Sequence, residues 1–142
     1  MNPADVVAEA RSWIGTPFLH QGRVKGQGVD CKGHVAGVAV ALGAVSDAWC
    51  SKLDSRYPRV PKAVDSVLAI LEGVMESVDY AEPGDVLVMS FRSEAAHMGF
   101  MGEAYGQPTL IHALMGEGGK GVVEHRITER WKKRIVAAYR MH

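Results

Sequence analysis

Apolar residues recur along this chain at two different periods, and the change between them falls at Glu82-Pro83-Gly84-Asp85, a turn signature. Upstream the spacing is helical. Val6, Val7, Ala10, Trp13 and Ile14 mark one face, opened by Asn2-Pro3 and stopped by Gly15. From Cys31 a second helix is expected, with Val35, Val38, Ala39 and Leu42 at i, i+3, i+4 and i+7. Its other stripe, Gly33, Gly37 and Ala41, carries little side chain and allows close packing, so this helix is expected to be buried and central. A third helix is expected over Pro61–Glu76, on Val64, Val67, Leu68, Leu71, Val74 and Met75, weakened at Gly73. The segment 15–28 reads as irregular, and 43–60 as a surface connection anchored by Trp49 and Tyr57. Downstream the apolar runs are short and bounded by turns: Val86–Phe91, His97–Met101, Thr109–Leu114, Gly121–Ile127 and Ile135–Met141. They predict five strands, mostly antiparallel because the connections are too short for crossovers. Thr128–Lys133 reads as a single helical turn. The expected class is α+β, one domain over 1–142, with the central helix packed on the sheet.

Candidate chemistry gathers where the central helix begins. Asp30 is a good N-cap, and it sets Cys31 at the positive end of the helix dipole. Cysteines there have lowered pKa values and act as nucleophiles. Composition narrows the partners. Sixteen Lys+Arg balance 16 Asp+Glu, so nothing marks a nucleic-acid or anionic-membrane surface. No apolar run approaches the roughly 20 residues of a membrane span. Asp5 and Glu9 precede any apolar run, so no signal peptide is visible and synthesis in the cytoplasm is expected. Two cysteines, Cys31 and Cys50, are too few for a disulfide framework, and Cys50 reads as an ordinary, partly buried thiol.

A nucleophilic thiol needs a general base, and usually a third group to orient it. Of the six histidines, His20, His34, His97, His112, His125 and His142, the pair His97 and His112 lies on consecutive predicted strands. A turn centred between Ala104 and Tyr105 sets the two opposite each other. A turn centred between Tyr105 and Gly106 makes them diagonal neighbours on one face. Either register lets them touch, so His97 is assigned as base and His112 as its orienting partner. Gly99, two residues on, leaves an open patch expected to receive the N-terminus of the cysteine helix.

Competing readings weigh less. His34, on the same helix side as Cys31, is open to use as a second proton carrier, as a metal ligand with Cys31, His97 and His112, or as a filler of the site rim. The spacing lacks the close-set ligand pairs of structural zinc sites, so neither metal nor cofactor is expected. Gly116–Gly121 matches GxGxxG, but no helix follows it, and a hairpin that brushes substrate is the better reading.

Four stretches resemble the NlpC-type cell-wall cysteine peptidases, which have a papain-like core: Gly15-Thr16-Pro17-Phe18, Asp30-Cys31-Lys32-Gly33, Pro83-Gly84-Asp85-Val86-Leu87 and His97-Met98-Gly99-Phe100. The resemblance is close to co-linear over nearly the whole chain. It implies that Cys31 is the nucleophile, His97 the base and His112 the third polar residue, and that Asp30 helps bind substrate, with Phe18, His20 and His34 as further substrate-facing candidates. The implied substrate is the peptide stem of peptidoglycan, often at the D-glutamyl-diaminopimelate bond. The run Trp131–Arg140 and the compact size look most like the branch found in phage tail and gene-transfer-agent clusters, which implies phage-tail partners and action on the cell wall. Three positions depart from the family pattern: Phe18 for a tyrosine whose hydroxyl sits near the nucleophile, Lys32 for a serine, and His34 for an aliphatic residue.

Overall fold

The structure, a computed structural model, describes residues 1–50, 71–91, 95–115 and 120–142. Helix α1 spans Pro3–Arg11, with the Asn2 side chain capping it by accepting the Ala4 N–H at 2.8 Å. A two-stranded hairpin follows, β1 (Arg23–Val24) and β2 (Gly28–Val29), within the stretch expected to be irregular. Its two-residue strands are too short to show a period in the sequence. Helix α2 covers Cys31–Ala41. The sheet comprises β3 (Met75–Val78), β4 (Val86–Phe91), β5 (Ala95–Ala104), β6 (Gln107–Ala113), β7 (Val122–Arg126) and β8 (Ile135–Met141), and α3 (Glu129–Lys132) is the expected single turn before β8.

The strands run in the order β3-β8-β4-β5-β6-β7, all neighbours antiparallel. The sheet therefore has six strands rather than five. The sixth is β3, whose Met75 and Glu76 were expected to end a helix. Leu71 and Glu72 are helical, the chain turns at Gly73 and Val74, and Met75 then pairs with Met141. Most of the expected helix Pro61–Glu76, together with Tyr57, lies outside the described residues. Residues 47–50 of the expected surface connection are helical, and Cys50 is fully buried and packed on Ala36.

Two apolar layers flank the sheet. On one face Val6, Val7 and Ala10 of α1 and Val35, Val38 and Ala39 of α2 bury against Val88, Met98, Phe100, Ile111, Val122 and Tyr139. The other face carries Leu87, Met89, Leu110 and Ala138, covered by Trp131 and Ile135. The small-residue stripe of α2 does what its composition predicts: a Cβ on Gly33 would strike the Gly22 carbonyl, and one on Gly37 the Trp13 ring. Asp85, at the mouth of β4, is nearly inaccessible. It accepts the Glu82 N–H at 2.8 Å and a bidentate Arg140 at 2.8 and 2.9 Å, which pins the turn to β8.

Candidate active site

The N-terminus of α2 is built from its cap. Asp30 accepts the Gly33 N–H at 2.7 Å through one carboxylate oxygen and the Gln21 N–H at 2.8 Å through the other, so it fixes both the helix start and the loop beside it. Both oxygens of this aspartate are thus held by backbone N–H groups. Cys31 follows at the first helical position, 6% exposed. The Met98 N–H reaches its sulfur, which places the thiol against β5 at the residue after His97. Lys32 Nζ, also buried, lies 3.8 Å from Sγ.

The electrostatics differ from the expectation of a lowered thiol pKa. Burial pushes the Cys31 thiol up; Lys32 and the Met98 and Lys32 N–H groups pull it back, and Asp30 opposes them. Desolvation here outweighs the helix-terminus effect that the sequence reading relied on. Burial likewise pulls Lys32 down. His97 is held at about 4 by burial, with Lys32 and His34 adding to the shift. Burial therefore favours a neutral Cys31 thiol and a neutral His97 imidazole at rest.

His97 Nε2 lies 2.7 Å from His112 Nδ1, joining the assigned base to its assigned partner. The β5–β6 register sets Phe100 against Ile111, with the loop at Tyr105 and Gly106, so the two histidines are diagonal neighbours. Gly99 is open for a different reason than expected. A Cβ there would meet His112 Cβ at 2.7 Å, so the glycine makes room for His112 and not for the cysteine helix.

The chain of rings continues beyond the pair. His112 Nε2 lies 2.8 Å from His125 Nε2, and His125 Nδ1 lies 2.8 Å from the Arg126 carbonyl oxygen. The Trp131 ring packs on all three, its centroid 6.2, 5.0 and 5.3 Å from His97, His112 and His125. Burial, followed by the two neighbouring rings, takes His112 down to about 2. Sequence reasoning assigned no role to His125 or Trp131. The hairpin argument used for His97 and His112 would have found His125, since His112 pairs with Val123 and His125 lies two residues on, on the same face.

The substrate-facing candidates divide. Phe18 is half-buried, bridged to Val29 immediately before the Asp30 cap, and His20 is exposed on the adjoining turn, so both border the start of α2. His34 does not reach the rim. It is 0% exposed, wedged between Trp13 and Phe100, with Nε2 donating to the Ala10 carbonyl at 3.1 Å. Its side chain points along the flank of α2 that meets α1. Among the described residues no group of three or more His, Cys, Asp or Glu side chains is placed to hold a metal ion. None of the described helices is long and apolar enough to cross a membrane. The 116–119 part of the glycine-rich hairpin lies outside the described residues.

No protein-family model matches the sequence, and no curated protein matches it. Solved structures do. The NlpC/p60 domain of the peptidoglycan hydrolase SagA superposes with a TM-score of 0.62 at 25% identity, covering 99% of this chain and 100% of that one. An NlpC/p60 family protein from Bacillus cereus gives 0.68 at 16% identity, over 99% of this chain and 40% of its own. A protein similar to a lipoprotein of the NLP/P60 family, from Staphylococcus aureus, gives 0.61 at 18%, over 98% and 41%. With its cysteine-fronted helix set against an antiparallel sheet that carries the histidines, the protein has an α+β fold similar to that of NlpC/p60 domains.

Proposed function

We propose that the protein is a cysteine peptidase that hydrolyses amide bonds in peptidoglycan stem peptides, with Cys31 as nucleophile, His97 as general base and His112 as the residue that orients it. The observation that carries this reading is the hydrogen-bonded His97–His112 pair on the strand whose Met98 N–H meets the Cys31 sulfur at a helix N-terminus, within a fold whose neighbour at 25% identity is the NlpC/p60 domain of a peptidoglycan hydrolase. As Sγ attacks the substrate carbonyl, its proton passes to His97 and the S–C bond forms. The Cys31 N–H, at the helix position that lacks an intrahelical acceptor, stabilises the oxyanion. His97 then protonates the leaving amine as the C–N bond breaks. Water attacks the thioester, gives its proton to His97, and the acid departs with the thiol restored.

The D-glutamyl-diaminopimelate bond is the proposed target, and a phage or phage-like tail acting at the cell wall the proposed setting; the Trp131–Arg140 run supports the latter. Digestion of diaminopimelate-type peptidoglycan by wild type and by Cys31→Ala, with fragments identified by mass spectrometry, tests the reading. Fragments released only by wild type support it, and their masses name the bond. Identical digests from the two proteins overturn it.

A further inference from the structure

We propose that His125 is a positioning residue: it ends a directional chain of three imidazoles, anchored on the Arg126 carbonyl, that holds the lone pair of His97 on Nδ1. The inference rests on His97 serving as the base. A carbonyl oxygen only accepts, so His125 Nδ1, 2.8 Å from the Arg126 oxygen, carries a proton. A neutral imidazole protonated on Nδ1 has its lone pair on Nε2. In that neutral form His125 Nε2 accepts from His112 Nε2, 2.8 Å away. His112, neutral because burial takes it down to about 2, then has its lone pair on Nδ1. That nitrogen accepts from His97 Nε2 at 2.7 Å, which leaves the His97 lone pair on Nδ1. One backbone oxygen thus sets the tautomer of three rings in turn.

A base held by His112 alone would lack this direction, because a neutral histidine pairs equally well as donor or acceptor. Reversing any one ring places two protons, or two lone pairs, face to face across a gap of under 3 Å. Trp131 packs against all three rings and fixes their planes. His125 also lines a cavity of about 670 Å³ with Thr109, Glu124 and Arg126, so the far end of the chain lies at the surface.

Two measurements test this. In the wild-type protein at pH 7, nitrogen-15 spectra of labelled histidine are expected to show His97 and His112 protonated on Nε2 and His125 on Nδ1. A His97 proton on Nδ1 overturns the proposal. In His125→Phe, which keeps a ring against Trp131 but removes the acceptor, alkylation of Cys31 is expected to slow by about tenfold or more, a share of the usual general-base effect. His125→Gln supplies an acceptor oxygen and is expected to recover most of that rate. If Phe and Gln variants alkylate alike, with circular dichroism showing both folded, His125 does not position the base. Neither readout uses peptidoglycan, so a wrong substrate leaves both intact. A wild-type Cys31 that reacts no faster than an ordinary buried thiol overturns the hydrolase reading and leaves the tautomers to stand or fall on the spectra.

Discussion

His97 and His112 share a 2.7 Å hydrogen bond although they are not directly paired across β5 and β6; they meet diagonally, over the space that Gly99 leaves empty. His112→Phe keeps an aromatic ring against Trp131 and removes the acceptor for His97 Nε2–H. Turnover is expected to fall by about 100-fold, with KM little changed, because orientation of the base acts in the transition state. His112→Asn, whose amide oxygen can accept, is expected to lie between that variant and wild type. A kcat for His112→Phe within threefold of wild type would show that the pair is structural only.

Lys32 Nζ lies 3.8 Å from the Cys31 sulfur and opposes the upward push of burial on the thiol. Replacing it with the uncharged Lys32→Met is expected to raise the thiol pKa further and to slow Cys31 alkylation at pH 7 by up to about tenfold, the effect of one pKa unit. The rate plotted against pH reports both. An unchanged titration midpoint would mean that Lys32 leaves the sulfur unaffected.

Tyr105 sits at φ 52 in the two-residue β5–β6 loop, with Gly106 at φ 73 behind it, and its side chain is fully exposed. Both positions need left-handed backbone, which suits Asn-Gly far better than a bulky residue. Tyr105→Asn is expected to stabilise the protein by about 1 kcal/mol, the order of the left-handed penalty. Denaturant unfolding checks this, and a destabilised variant would mean that the tyrosine ring makes contacts the loop depends on.

His34 is buried at about 4, below its ordinary 6.5, so between those pH values the unfolded chain binds a proton that the folded chain refuses. Stability from this residue is complete above about pH 6.5 and is lost as pH falls toward about 4, on the order of 3 kcal/mol in all. His34→Phe keeps a ring between Trp13 and Phe100 and cannot titrate. Its stability is expected to fall less steeply over that window than that of wild type. Equal slopes would contradict the assignment.

Much of this site was legible in the sequence because it is local. The Asp30 cap and the Cys31 helix start follow from adjacent residues, and the β4 and β8 boundaries match the apolar runs Val86–Phe91 and Ile135–Met141. The hairpin geometry of His97 and His112 needed only a turn and a period of two. What escaped was set by tertiary packing. The helical spacing of Met75 carried over into residues that the β8 edge recruits as a strand, and nothing local marks that capture. His34 lies only three residues from Cys31, yet Trp13 and Phe100 close over it, a pairing visible only once α1 and β5 are in place. The depth of Cys31, which reverses its expected pKa shift, is likewise a property of the assembled layers.

Activation of Cys31 by His97 can be tested with Cys50 as a control within the same chain, since both cysteines are buried and neither is in a disulfide. The most direct measurement is the rate of iodoacetamide modification of each cysteine in the native protein, read by peptide mass spectrometry, in wild type and in His97→Ala. Cys31 is expected to react and Cys50 not, and His97→Ala is expected to slow Cys31 by about 100-fold. A Cys31 as inert as Cys50, or one whose rate is indifferent to the loss of His97, would contradict it.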